Sequence, residues 1–209
     1  DNKKTAFDES YADSLYENYK NNQIDDSNSR TTLHHLLSGK NVLLIAPGSS
    51  IVTYKEKIDD FVKQENPVII SINFVPELYN VDFAFFSNNK RFSNLENVSC
   101  KTIITSNLLS DLADFKIDYN SLSGAFDQGC NSFIMILKLL KEMNTKAIFI
   151  AGADGYTESG KNYYKSNIRT YTKHGNKFNM AVANAVRNLD LEVTFLTPSA
   201  YETERNENR

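Results

Sequence analysis

The chain has 209 residues, 41% of them hydrophobic and 23% charged, the composition of a globular protein with one core and too few residues for two large domains. Its 23 Lys and Arg against 26 Asp and Glu leave a net charge of −3 at pH 7. That balance lacks the positive field that holds a phosphate backbone and excludes a general nucleic-acid binder. No stretch approaches the roughly 20 apolar residues of a membrane helix, and the opening residues DNKKTAFDES lack the charged-then-apolar order of a signal peptide. A soluble, cytoplasmic protein is the expectation. Cys100 and Cys130 have no metal-ligand spacing and make no disulfide framework, in keeping with a reducing compartment. The sequence begins at Asp1 rather than methionine, which favours a domain cut from a longer protein.

Residues 1–39 read as a helical extension or a linker from a preceding domain. Phe7, Tyr11, Leu15 and Tyr19 recur every four residues and predict a lead-in helix, after which the polar tract from Asn21 to Arg30 breaks the pattern. Leu33, Leu36 and Leu37 predict a second short helix before Gly39, a residue suited to a helix C-cap.

From residue 40 to 200 short apolar runs alternate with helical spacing. The runs Val42–Ala46, Val68–Ile72, Phe83–Phe86, Thr102–Thr105, Ala147–Ala151 and Val193–Leu196 are apolar at nearly every position, as in a parallel sheet covered on both faces. Between them, Ile51, Tyr54, Ile58, Phe61 and Val62 form one helical stripe from Ile51 to Gln64, closed by Pro67. Cys130 to Met143 is apolar around most of its circumference and predicts a deeply packed helix. In Asn176 to Leu189 the residues Phe178, Ala181, Val182, Ala185, Val186 and Leu189 line one face. Residues 201–209 read as a polar tail.

In an open parallel sheet, ligands bind beyond the carboxyl ends of the strands. The first such loop, Ala46-Pro47-Gly48-Ser49-Ser50, has one glycine that lets backbone approach a ligand, and the following helix aims amide donors at an anion. A turn of this kind also arises from geometry alone, and neither the three-glycine dinucleotide fingerprint nor a Walker lysine is present. Asn73, Asn88 and Asn107 follow three further strands; their amides suit ribose hydroxyls, a pyrimidine edge or a phosphate, while asparagine is equally a common turn former. The run Ser123 to Ser132, with Gly124 and Gly129, is either a second cradle at a helix start or a loop capped by Asp127 or Gln128. Asp154 stands at a strand tip, where a carboxylate binds a sugar hydroxyl, a metal or a base, or caps the loop. His34 and His35 fall in the short N-terminal helix, a surface or packing place. His174 precedes the last helix; that position favours a neutral imidazole and makes it the general-base candidate. The histidines are not spaced for a metal triad, and no metal site is expected.

The tracts Leu44–Ser50, Ser71–Phe74, Phe85–Asn88, Ile150–Tyr156 and Lys173–Lys177 resemble, in order and spacing, the bacterial CMP-sialic-acid-dependent sialyltransferases and the related MptE-like Rossmann group. The resemblance covers most of residues 40–200. It implies a nucleotide site built from Gly48, Ser49, Asn73 and Asn88, with contacts near Gly129 and Asp154, and His174 in the place of the general base. Pro47-Gly48 departs from that family's asparagine-glycine-proline turn. Over its whole length, Tyr11 to Asp26 included, the chain is similar to the C-terminal region of bacterial proteins of the 4-hydroxy-2-oxovalerate aldolase or HMG-CoA-lyase-like kind from surface-polysaccharide gene clusters. That resemblance implies an N-terminal aldolase barrel in the parent chain, which these residues do not contain.

The expected fold is therefore α/β and Rossmann-like: a mostly parallel sheet of six to seven strands flanked by helices, with a helical N-terminal extension. The expected ligand is a nucleotide or nucleotide-sugar, held by Gly48, Ser49, Ser50, Asn73, Asn88, Gly129 and Asp154, with no cofactor required. Three classes of function stay open: glycosyl transfer with His174 as base, a non-catalytic module serving the aldolase domain, and a scaffold with an apolar patch around Phe7, Tyr11 and Leu15. Oligomeric state is left open.

Overall fold

The computed structural model describes residues 5–6, 14, 17–92, 98–124, 131–157, 162–165, 170–171 and 174–202. In chain order these form β1 (Thr5–Ala6), α1 (Ser27–Leu37), β2 (Asn41–Ile45), α2 (Ser50–Thr53), α3 (Lys55–Glu65), β3 (Val68–Ile72), β4 (Phe83–Phe86) and α4 (Asn89–Phe92). Then follow β5 (Lys101–Thr105), β6 (Phe115–Ile117), α5 (Tyr119–Leu122), α6 (Ser132–Glu142), β7 (Ala147–Ala151), β8 (Thr170–Tyr171), α7 (Gly175–Asn188) and β9 (Val193–Phe195). Seven strands make one sheet in the order β6-β5-β4-β3-β2-β7-β9, and every neighbouring pair is parallel. β1 and β8 form a separate parallel pair. The fold is α/β and Rossmann-like.

Each central strand is apolar at almost every position because both of its faces are covered. Val42, Leu44, Ile70, Ile72, Phe83, Phe85, Ile148 and Ile150 face one layer, with Leu33 and Leu37 of α1, most of α6, and Phe178, Val182 and Val186 of α7. Leu43, Ile45, Ile69 and Ala151 face the other, against Ile51 and Ile58 from α2 and α3. Further along that second face, Ala84, Phe86, Ile104 and Leu108 pack with Phe92 of α4.

The strand starts carry a repeated device. Asp82, just before β4, accepts the Ile69 amide of β3 at 2.8 Å, and Asp114, just before β6, accepts the Thr102 amide of β5 at 2.8 Å. Each carboxylate pairs a backbone donor at the amino end of the sheet that the ladder leaves without a partner.

Several expectations change. The Ile51 to Gln64 stripe is two helices, α2 and α3, interrupted at Tyr54; Ile51 and Ile58 are buried while Tyr54 is 38% exposed. The second N-terminal helix begins at Ser27, inside the tract read as a polar linker, because the polar residues Ser27 to Arg30 form its first turn and Arg30 Nε bonds Asp26 one turn earlier. Leu33 and Leu37 are fully buried, each contributing about 1.5–3 kcal/mol, whereas Leu36 is 37% exposed. The short edge strand β6 carries no apolar run that announces it. Its outward amides are taken by side chains near α1: the Ser29 hydroxyl accepts from Lys116 N at 3.4 Å and the Asp26 carboxylate from Asp118 N at 2.8 Å. Tyr201, read as the start of a polar tail, is buried and stacks on Phe133 with ring centroids 5.5 Å apart.

Of the lead-in helix, Phe7, Tyr11 and Leu15 lie outside the described residues; Tyr19 is half-buried against Tyr119. His34 and His35 are exposed on α1. Cys130 lies outside the described residues, and Cys100 is half-buried, its thiol pushed up by burial. No helix among the described residues is long and apolar enough to cross a membrane.

Candidate functional site

The chain runs outward from β2 through β3, β4, β5 and β6, then crosses back to place β7 on the other side of β2. The loops leaving β2 and β7 therefore stand side by side where the strand order reverses, at the carboxyl ends of these two strands, the place where such sheets bind ligands. Gly48, Ser49 and Ser50 lie in the loop after β2 and Asp154 in the loop after β7.

These residues meet, and they bond to each other. Ser50 N donates to Asp154 Oδ2 at 3.0 Å, Ser49 Oγ donates to the same oxygen at 3.3 Å, and Ser50 Oγ bonds Asp154 Oδ1. Ser50 Oγ lies 3.0 Å from Thr197 Oγ1, which accepts from Gly152 N at 3.0 Å. The other two amides of the turn are also engaged, Gly48 N by Gly152 O at 2.8 Å and Ser49 N by Asn162 O at 2.5 Å. Residues 162–164 lie across the turn: Tyr163 bridges Gly48, and Tyr164 N donates to Pro47 O at 3.1 Å. The loop that reads from sequence as an open anion cradle thus has its backbone donors filled by the chain, with the Asp154 carboxylate as the resident anion. Only glycine fits at 48, since a Cβ there would stand 2.3 Å from both Asp154 Oδ1 and Gly152 O.

The asparagines at the next strand tips do different work. Asn73 adopts a left-handed φ of 59°, donates to Ser132 Oγ at 2.6 Å and accepts from Ser87 N at 3.2 Å, so it ties the ends of β3 and β4 to the start of α6. Asn107 donates to Ser87 O at 3.0 Å and ties β5 to β4. Asn88 is exposed and accepts from Arg91 N at 3.3 Å. Gly129, Asp127 and Gln128 lie outside the described residues. The cap of α6 is Asn131, whose side chain accepts from Phe133 N at 2.7 Å.

His174 is exposed at the N-cap of α7, and its side chain makes no capping bond. Its neighbour Gly175 packs against Tyr156 O, and Asn179 of the same helix clamps both the Tyr156 amide, at 2.8 Å, and its carbonyl, at 3.0 Å. The histidine is thereby carried to the loop that bears Asp154.

Sequence reasoning passed over Arg91 and the tyrosines of this edge. Arg91 follows the tip of β4 in the run Ser87-Asn88-Asn89-Lys90-Arg91 and is half-buried. Burial lowers its basicity, and the Tyr163 and Tyr156 phenols counteract that. Tyr156 packs edge-on against Phe178, ring centroids 4.5 Å apart, and its hydroxyl accepts from Asn131 Nδ2 at 3.3 Å. The signal available was an arginine three residues beyond a strand-tip asparagine. Among the described residues no three His, Cys, Asp or Glu side chains are grouped to hold a metal ion.

Phenols in and near this region ionise late. Burial, then the Tyr163 and Asp154 charges, pushes Tyr201 well above its ordinary value; burial also raises Tyr164; and Tyr79, buried near Asp59, is pushed up to about 12. An unfolded tyrosine loses its proton near pH 10 while these folded ones keep theirs, so their contribution is complete below pH 10 and is lost as pH rises from there. Urea midpoints between pH 8 and 12 are expected to fall steeply above pH 10, and less steeply for Tyr201→Phe; equal slopes for both proteins would remove Tyr201 from this account.

No family model matches the chain, and no curated protein is significantly similar to it.

Proposed function

We propose that this domain binds a nucleotide or nucleotide-sugar across the carboxyl edge of its sheet, in the cytoplasm and as part of a larger protein of surface-polysaccharide metabolism. The observation that carries the reading is the reversal of strand order between β2 and β7, at which the Gly48 turn, Asp154 and the loop held by α7 converge. Asn88, exposed at the tip of β4, supplies an uncharged amide of the kind that reads a ribose or a base, while Asn73 and Asn131 hold the adjoining strand and helix ends in place. With a nucleotide-sugar bound, the chemistry is glycosyl transfer by direct displacement, His174 taking the proton of the acceptor hydroxyl while the nucleotide leaves.

Thermal shift against CMP, UDP, GDP, ADP and CMP-sialic acid tests binding, because a ligand that binds only the folded state raises stability by mass action. A selective rise of about 2.7 kcal/mol is expected at a hundredfold excess over Kd. His174→Ala is expected to keep that rise and reduce any transfer by about 10²–10⁴-fold; unchanged turnover would remove the histidine from the mechanism. A second reading is a non-catalytic module serving an aldolase barrel in the same polypeptide. The observation that favours it is the Gly48 turn itself, whose donors the chain already fills. It predicts no shift with any nucleotide.

A further inference from the structure

The connection from β7 to α7 is the longest at the carboxyl edge of the sheet, and the chain holds it at three places. Asn179 of α7 clamps its first part at Tyr156. Residues 162–164 are seated on the Gly48 turn, where Asn162 O accepts from Ser49 N at 2.5 Å, Tyr163 bridges Gly48 and Tyr164 N donates to Pro47 O at 3.1 Å. The third hold comes from far away in sequence: β8, Thr170–Tyr171, pairs in parallel with Thr5–Ala6 of β1 and with no strand of the main sheet.

We infer that the N-terminal segment, anchored by residues 5–6 and 19–24, is a regulatory strap: β1 pins β8 and keeps residues 162–164 on the Gly48 turn, and a ligand reaches that turn only when β1 leaves β8. The inference rests on the nucleotide reading above and specifies how that site is opened. The far end of the strap is fastened to the sheet. Tyr19 donates its hydroxyl to Asn107 O at 3.5 Å and packs edge-on against Tyr119 with ring centroids 5.5 Å apart, and Ile24 N donates to Asp118 Oδ1 at 3.4 Å. Those contacts lie just beyond β5 and β6, whereas β8 belongs to the loop seated between β2 and β7. Three strand spacings, about 14 Å, separate β5 from β2. The stretch from Ala6 to Tyr19 reaches about 20 Å even at the helical rise per residue, so one segment can hold both halves of the edge. The two fastenings differ in strength. Tyr19 and Ile24 join the main body, while a pair of two-residue strands is marginal by itself in water and is the contact that opens first. Once residues 162–164 lift, the Ser49 amide and the Pro47 carbonyl lose their partners within the chain and become open to a ligand.

A crosslink between the two short strands tests the strap on the full chain. Thr5 and Thr170 are register partners, and neighbouring strands run about 4.8 Å apart, within the Cα separation that a disulfide spans. Thr5→Cys with Thr170→Cys is expected to form that link on oxidation, identified as a crosslinked tryptic peptide. The linked protein is expected to be cut by trypsin between residues 157 and 174 about 10-fold more slowly than its reduced form, because cleavage follows the open population. It is also expected to bind CMP about 10-fold more weakly, with affinity restored by dithiothreitol. Ala6→Pro, which removes a β1 amide, is expected to raise the cleavage rate of the same loop with no change in the urea midpoint, and gives a reading if the cysteine pair fails to fold. Failure of a folded cysteine pair to form the link, or equal cleavage rates with and without it, overturns the strap and leaves the nucleotide reading standing. Slower cleavage with CMP bound equally in both redox states overturns the control of access. Slower cleavage in a protein whose reduced form binds none of CMP, UDP, GDP and ADP upholds the strap's hold on the loop and overturns the nucleotide.

Discussion

Replacing Gly152 by alanine is expected to destabilise the protein by about 2–5 kcal/mol, a large part of the roughly 5–15 kcal/mol that holds a domain folded. Two effects add. Gly152 has a φ of +75°, which costs an L-residue about 1–2 kcal/mol. Its new Cβ would also stand 2.1 Å from Ala46 O and 2.5 Å from Ile51 Cγ2. The first of these is backbone at the end of β2 and has no rotamer to relax into, so the contact acts as overpacking of a closed site, about 1–3 kcal/mol. Gly39→Ala separates the two effects, because Gly39 has a similar φ of +68° with nothing within 4 Å of the added carbon. Urea midpoints for the two variants at equal m-value should differ by the contact alone; equal losses would mean that the loops at the ends of β2 and β7 yield freely.

Asp154→Ala is expected to lose about 2–4 kcal/mol. The carboxylate accepts from Ser50 N, Ser49 Oγ and Ser50 Oγ across 104 residues of sequence, acting as the cap of a helix start that its own loop does not cap. Loss of a capping acceptor costs about 0.5–2 kcal/mol and an orphaned buried donor about 1–3 kcal/mol. Asp154→Asn keeps an acceptor in the same place and should lose less. The variant also offers a positive test: with the resident anion removed, formate or acetate should fit the vacated slot and restore part of the lost stability of Asp154→Ala, while leaving the wild type unchanged. Absence of rescue would show that water pairs these donors as well as a carboxylate does.

The sheet was legible because its central strands are buried on both sides and so spell uninterrupted apolar runs; β2, β3, β4, β5, β7 and β9 all stand where Val42, Val68, Phe83, Thr102, Ala147 and Val193 place them. β6 escaped because it is three residues long and Lys116 interrupts it at the sheet edge. The break at Tyr54 escaped because Ile51 and Ile58 keep the stripe in phase on either side of it. Ser27 to Arg30 looked like linker since a polar helical turn and a polar loop have the same composition, and the Asp26 to Arg30 pair that joins them is a matter of geometry. At the ends of β2 and β7, the place of Gly48, Ser49, Ser50 and Asp154 at strand tips followed from the apolar runs that precede them. That they consume one another's hydrogen-bonding capacity did not, because sequence shows donors and acceptors without showing which are already matched. Asn73 illustrates the same limit: its left-handed backbone and its bonds to Ser87 and Ser132 give it the turn-forming role that composition could not separate from ligand binding.

The β6 rim of the sheet is closed from within the chain. A bare outer strand is a template for further strands, and proteins commonly blunt it with charge, twist or a covering segment. Here the outward amides of β6, at Lys116 and Asp118, are already occupied by Ser29 and Asp26, so an incoming peptide finds no free donors to zip onto. A strand pairing onto this edge would first have to break both bonds, so the residues at the start of α1 guard the β6 margin.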